Sequence, residues 1–289
     1  MLIGCHGLVW TGSFDAEGVD LAIGKTLDAG YNLLEIPLFD PEDFDVAAAK
    51  RSIAKRPISV TASLGLSPQT DLTSEDPEVV AAGVARLTHI LEILSELESQ
   101  YLVGVIYSQL AKYPGPISAL SRAHCVEAIH TLGGRAQELG ITLGLEVVNR
   151  YETNIFNTSK GALEFIADVD HPSVGVHLDT YHMNIEESDM WNPVLAAGDK
   201  LVYVHIGESH RGYLGTGSVD FDGLFRALGH IGYTGPIAFE SFSTAVVSDE
   251  LSRSLAIWRN LWEDNVDLGR HAYEFITGKL RSVETIAFH

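Results

Sequence analysis

The constraint that most limits the fold is an alternation that runs the length of the chain. Eight short apolar runs, at residues 2–10, 31–38, 57–65, 101–108, 141–148, 174–181, 201–208 and 236–242, are separated by longer helical stretches. The runs are nearly continuous in Val, Ile, Leu and Tyr instead of alternating with polar residues. Strands covered by helices on both faces read this way. Their starts fall 26 to 44 residues apart, one βα unit each. Eight such units in 289 residues predict an α/β fold, a (β/α)₈ TIM barrel. A doubly wound open sheet is the alternative, and the absence of a G-x-G-x-x-G turn after the first run counts against it. No linker or low-complexity block interrupts the pattern. The expectation is therefore one domain over 1–289, with core strands at about 2–242 and C-terminal helices at about 248–280.

The helical stretches carry their own punctuation. Val80, Val84, Leu87, Leu91 and Leu94 form one apolar stripe over 77–97, and Asp76-Pro77 is a cap and first-turn pair. The stretch 117–139 ends at Gly140, a glycine C-cap signal. Thr158 or Ser159 caps a helix that turns Leu163 and Ile166 inward. A last helix at roughly 264–280, with Tyr273, Phe275 and Ile276, is expected against the barrel or a neighbouring subunit.

Charge narrows the partners. With 39 acidic against 19 basic residues, the net charge of −20 repels phosphate backbones and argues against nucleic acid. It also leans away from a phosphorylated substrate. Only Cys5 and Cys125 occur, which offers neither a disulfide framework nor a C-x-x-C site and suits a reducing cytoplasm. The first residues show no basic leader with an apolar run, and no stretch approaches the ~20 apolar residues of a membrane span. A soluble cytoplasmic protein is the expectation.

In a TIM barrel the working side chains sit at the C-terminal ends of strands. Glu146, Asp179, His205 and Glu240 lie there on the fifth to eighth strands, separated by 33, 26 and 35 residues. Their surroundings (GLEVV, HLDTY, YVHIG, AFESF) are apolar, where an unpaired carboxylate is costly. A buried ion pair is the bland explanation for any one of them. None of these four strands carries Lys or Arg, so for all four together a divalent cation is the better counter-charge. Three carboxylates and one imidazole suit Mn²⁺, Mg²⁺ or Co²⁺ more than a structural zinc.

A second ring of polar residues follows: Glu152 after the fifth strand, His182 after the sixth, and Glu208, His210 and Arg211 after the seventh. His210 reads equally well as a solvated loop residue. His177 points to the same face as Asp179 and reads as a core or supporting histidine. His6, Ser63 and Tyr107, on the first, third and fourth strands, are further candidate substrate contacts. No P-loop or G-x-S-x-G elbow occurs, and the glycines of 212–217 read as a loop crossing the barrel mouth.

These segments carry a resemblance. EVVNRYETNIFNT, HLDTYHMNIEE, HIGESHRG and FESF, together with IGCHGLVWTG and SLGLS, are similar to the ketose 3-epimerases (D-tagatose, D-allulose (psicose) and L-ribulose 3-epimerases) of the xylose-isomerase-like barrel superfamily. The match is dense over about 140–242. It implies metal ligands at Glu146, Asp179, His205 and Glu240, and an acid/base pair at Glu146 and Glu240. Substrate contacts are implied at Glu152, His182 and Arg211. The implied reaction removes and returns the C3 proton of a free keto-sugar through a cis-enediolate, with Mn²⁺ (or Mg²⁺ or Co²⁺) as cofactor; apolar loops and the C-terminal helix make a homodimer or homotetramer the expectation. Departures fall around the substrate. His6 stands where several members carry an aromatic residue, Lys112-Tyr113 near a common tryptophan, and Ser243–Val247 in place of a Gly-rich segment. They lean towards the L-ribulose-type branch. An aldose–ketose isomerase or inosose-type dehydratase of the same superfamily is the alternative, and a non-catalytic sugar-binding barrel the remote one. An endonuclease-like barrel is disfavoured by the charge.

Overall fold

The computed structural model describes residues 1–247 and 249–286. The eight apolar runs become eight parallel strands: β1 (Ile3–His6), β2 (Leu33–Pro37), β3 (Ser59–Leu66), β4 (Tyr101–Gln109), β5 (Thr142–Val147), β6 (Val174–Asp179), β7 (Leu201–Ile206) and β8 (Ile237–Phe239). They close in sequence order, with β1 pairing β8. Around them lie α1 (Ala16–Asp28), α2 (Val46–Ile53), α3 (Pro77–Glu96), α4 (Ala119–Leu139), α5 (Ser159–Val169), α6 (Thr180–Glu186), α7 (Asn192–Ala197), α8 (Phe221–His230), α9 (Asp249–Ser254) and α10 (Asn265–Ile286). Most strands end before their apolar run does. After β1 the chain turns into a 3₁₀ segment, Gly7–Val9, where Nδ1 of His6 accepts the Leu8 N–H.

The sequence signals act where they stand. Asp76 accepts the Glu78 N–H at 2.9 Å with Pro77 in the first turn of α3. Leu87, Leu91 and Leu94 of its stripe are buried, while Val80 and Val84 are half-buried. Gly140 ends α4 at φ +69°, a left-handed conformation that glycine adopts without strain. Thr158, not Ser159, caps α5 by accepting the Gly161 N–H. Ile166 of that helix is buried and Leu163 half-buried. Ser248, where the terminal helices were expected to begin, lies outside the described residues.

Of its two expected partners, the last helix takes the barrel. Tyr31 on the barrel side donates to the Gly269 carbonyl at 2.8 Å and its ring meets that of Tyr273, while Ile276 is fully buried. Below the mouth the barrel interior is packed by Leu33, Val103, Tyr203 and Ala238, so the cavity stops at one end. Among the described residues no helix is long and apolar enough to cross a membrane.

Register decides who meets at the open end. Asp179 pairs with His205 across β6 and β7, and Glu146 with His177 across β5 and β6. Glu35 on β2 stands between His6 on β1 and Thr61 on β3.

Candidate active site

The four predicted ligands converge. One donor atom each from Glu146, Asp179, His205 and Glu240 lies within 4.8 Å of all the others, and all four residues are buried. Nδ1 of His205 is 3.4 Å from Glu146 Oε1, 3.6 Å from Glu240 Oε1 and 4.0 Å from Asp179 Oδ2. Glu240, just past β8, is tied in by its N–H, which donates to the Ile206 carbonyl. Asp179 serves twice, since its Oδ1 also accepts the Tyr181 N–H and starts α6.

Three carboxylates in a buried pocket strain one another. Burial raises Glu146 to about 8, the charges of Glu240 and Asp179 add to that, and His205 works against it. Burial alone would depress His205, but the charges of Glu35 and Glu240 outweigh it and hold the ring well above its usual range. Nδ1 of His205 is buried and has no hydrogen-bond partner, although it faces three carboxylates. A divalent cation relieves both problems at once. His205 would bind it through a deprotonated Nδ1 and the three carboxylates would be neutralised by it; the oxygen-rich donor set fits such an ion.

Contrary to the expectation from the strands alone, a basic residue does reach these carboxylates. The strands indeed carry none, but the loop after β7 brings in Arg211. Its Nη1 donates to Asp179 Oδ2 at 2.9 Å and also to Glu240. The guanidinium lies 4.0 Å over the Tyr181 ring and 5.1 Å from the Phe242 ring centroid. Its backbone is held at φ +61°, a strained conformation of the kind that clusters at functional sites. Gly207 makes room for it: a Cβ there would fall 2.9 Å from Nη1.

The loop residues divide. His182 is buried with Nε2 3.9 Å from Glu146, 3.9 Å from Glu152 and 3.7 Å from Asp179. Asn149 fixes it, since both its backbone N–H and its side-chain amide donate to Nδ1, while Nε2 faces the cavity with Arg211 Nη2 at 3.4 Å. Burial lowers this imidazole to about 3, so it is neutral. The Asn149 amide also donates to Glu152, whose carboxyl burial raises. Glu208, expected among the hydroxyl-holding groups, is instead turned into its own loop, where it accepts the N–H groups of Ser209, Gly215 and Val219. His210 bonds Thr216 and lies towards an outer vestibule beside Trp258.

His6 and Ser63 line the cavity, with His6 Nε2 3.2 Å from Ser63 Oγ and 4.0 Å from Glu240. Tyr107 does not. It is fully buried and donates to the main-chain carbonyl of Glu146 at 2.7 Å, which makes it a brace for β5 rather than a substrate contact. Tyr113, near the missing tryptophan, likewise turns away and donates to Asp71. His177 is wholly buried under His205, ring on edge at 4.2 Å, with neither ring nitrogen hydrogen-bonded. Glu35 was missed altogether: it sits mid-strand in an apolar run on β2, far from the other acids in sequence. Its signal was the cost of burying a lone carboxylate. The cavity of about 500 Å³, counting its open mouth, is otherwise walled by Leu8, Phe39, Leu64, Leu110, Phe242 and Leu255.

Residues 23–267 match the family model described as xylose isomerase-like TIM barrel. Over the full length of both chains the protein is 55% identical to a ketose 3-epimerase of Arthrobacter globiformis. It is 52% identical over 273 residues to an L-ribulose 3-epimerase of Methylomonas sp., covering 94% of this chain and 96% of that one. The crystal structure of a Methylomonas D-allulose 3-epimerase in complex with D-allulose superposes with a TM-score of 0.95 at 51% identity, over 96% of this chain and 97% of that one.

Proposed function

Since this chain belongs to the ketose 3-epimerases of the xylose isomerase-like TIM-barrel family, we propose that it inverts C3 of a free ketose by removing the proton from one face and delivering a proton to the other, with Glu146 and Glu240 as base and acid. The observation that carries this reading is their placement. One carboxylate comes from β5 and the other from the end of β8, with two strands between them, and each lies within 3.6 Å of the His205 ring.

Inverting C3 requires a base on one face and an acid on the other. Glu146 and Glu240 approach from different walls, so one removes the proton to leave a cis-enediolate and the other protonates its opposite face. Their roles exchange with the epimer that binds. When bound by Glu146, Asp179, His205 and Glu240, a divalent cation (Mn²⁺ by preference, Mg²⁺ or Co²⁺ in its place) supplies Lewis-acid polarisation of the ketone and so acidifies the C3 hydrogen. His182 turns its Nε2 edge, beside Arg211, to the ketose oxygens, and Asn149 prevents the ring from turning. Arg211 has donors to spare beyond those on Asp179 and Glu240, and Glu152 accepts from hydroxyls.

Substrate class follows from charge. Among the described residues lining the cavity Arg211 is the only Lys or Arg, and two carboxylates already engage it. A phosphorylated sugar would find no free cation, whereas a neutral ketose such as L-ribulose, D-tagatose, D-fructose or D-psicose finds polar donors at one end and apolar walls at the other. The exposed Trp258 beside the mouth supports a homodimer or homotetramer, and the unpaired, buried Cys5 and Cys125 support a reducing cytoplasm.

The test is a panel of these ketoses incubated with enzyme and Mn²⁺ in D₂O and followed by NMR. The reading requires a new ketose carrying deuterium at C3. An aldose product would instead establish movement between C1 and C2.

A further inference from the structure

The residue that no motif singled out is a fully buried acid held by side chains of the barrel wall. Glu35 has no solvent exposure. Its Oε2 is 2.8 Å and its Oε1 3.0 Å from Nε2 of His205, and Oε2 also accepts the Tyr203 hydroxyl at 2.7 Å. Tyr203 is held in turn by Thr61 Oγ1 at 3.1 Å. His6 Nε2 stands 3.7 Å from Oε1, facing the substrate cavity.

We propose that Glu35 is a positioning residue for the cation site, holding the proton of His205 on Nε2 so that the Nδ1 lone pair points at the three ligand carboxylates. This inference rests on the four-residue cation site proposed above. An imidazole can ligate only through a nitrogen that carries no proton, and the partner of the other nitrogen selects the tautomer. Here the selection has one source. Nδ1 has no hydrogen-bond partner among the described residues and faces the three ligand carboxylates, and His177, the ring packed against His205, offers it no hydrogen bond. The full charge on Glu35 also makes the ring a stronger donor to a cation than a neutral acceptor would. The chain Thr61–Tyr203–Glu35–His205 crosses the barrel from β3 through β7 and β2, so the ring is fixed by the barrel wall and not by the loops of the mouth.

Glu35→Gln keeps the volume but removes the charge, and its amide can donate to Nε2 and drive the proton onto Nδ1. The experiment is calorimetric titration of EDTA-stripped wild type, Glu35→Gln and Glu146→Gln with Mn²⁺, with thermal melts confirming that each is folded. The expected result is a Mn²⁺ dissociation constant about 10- to 100-fold higher in Glu35→Gln. At saturating Mn²⁺, kcat should fall with KM for the ketose little changed. A folded Glu35→Gln that binds Mn²⁺ as tightly as wild type overturns the proposal. Should Glu35→Gln fail to fold, Tyr203→Phe decides, because it weakens the anchor without touching His205. About a fivefold loss of Mn²⁺ affinity supports the role, and an unchanged affinity overturns it. Wild type binding Mn²⁺ no better than Glu146→Gln would remove the cation site itself, a different outcome from tight wild-type binding unaffected at Glu35.

Discussion

Arg211 donates from Nη1 to Asp179 Oδ2 at 2.9 Å, so a guanidinium of the cavity wall and a carboxylate of the acidic cluster share one hydrogen bond. The same nitrogen reaches Glu240. Arg211 thus supplies charge to the acidic cluster whether or not an ion is present, and couples the loop after β7 to the floor of the site.

Removing that guanidinium leaves two buried carboxylates uncompensated. Arg211→Ala is expected to cost the metal-free protein about 3 kcal/mol, in the range for breaking a buried pair. Saturating Mn²⁺ should restore more of the melting temperature than it adds to wild type. Differential scanning calorimetry with and without Mn²⁺ checks this, and equal gains in both proteins would refute the coupling.

Gly207→Ala perturbs the same bond from the other side. The new methyl would stand 2.9 Å from Nη1 and push the guanidinium off Asp179. A rise in ketose KM of about tenfold is expected, with a stability loss of about 1–3 kcal/mol from overpacking. Steady-state kinetics that match wild type would show that Arg211 has room to move aside.

The metal-free site should betray itself in its pH dependence. Folded Glu146 keeps its proton up to about 8 against an ordinary value of 4.5, so between those values the folded chain binds more protons than the unfolded one. Stability therefore falls as pH rises through that window. His6 and His182, lowered by burial from 6.5 to about 4 and about 3, act oppositely, and their contribution is complete above 6.5. Because Mn²⁺ needs the ionised carboxylate, the melting-temperature gain on adding it should grow from pH 6.5 to 8 and then level. A flat gain over that interval would count against Glu146 as a ligand.

Chelation gives the simplest check. EDTA treatment should abolish epimerisation, and Mn²⁺ or Co²⁺ should restore it while the barrel stays folded throughout. Undiminished turnover after exhaustive chelation would exclude a catalytic ion.

Much of this was legible in the chain because parallel strands buried on both faces leave long apolar runs, in which Glu146, Asp179, His205 and Glu240 stand out. One βα unit of spacing was enough to make them converge. Glu35 sits in a similar run but near the middle of its strand, and only the cost of burying a lone carboxylate there marked it. Tyr107 misled because position along a strand does not say whether a long side chain enters the cavity or folds back to a neighbour's carbonyl. Arg211 and Glu208 lie three residues apart in one loop. Only the loop's path turns one into the site and the other onto backbone N–H groups.

The central claim is that Glu146 and Glu240 serve opposite faces of C3, and single Gln variants at saturating Mn²⁺ test it most directly. Each epimer of a converted pair is incubated in D₂O with Glu146→Gln or Glu240→Gln, and C3 deuteration and inversion are followed by NMR. Net epimerisation should fall at least 100-fold in both variants. Each should still exchange the C3 hydrogen of one epimer without inverting it, and the two variants should favour opposite epimers. Near wild-type epimerisation by either variant, or the same epimer exchanged by both, would contradict the account.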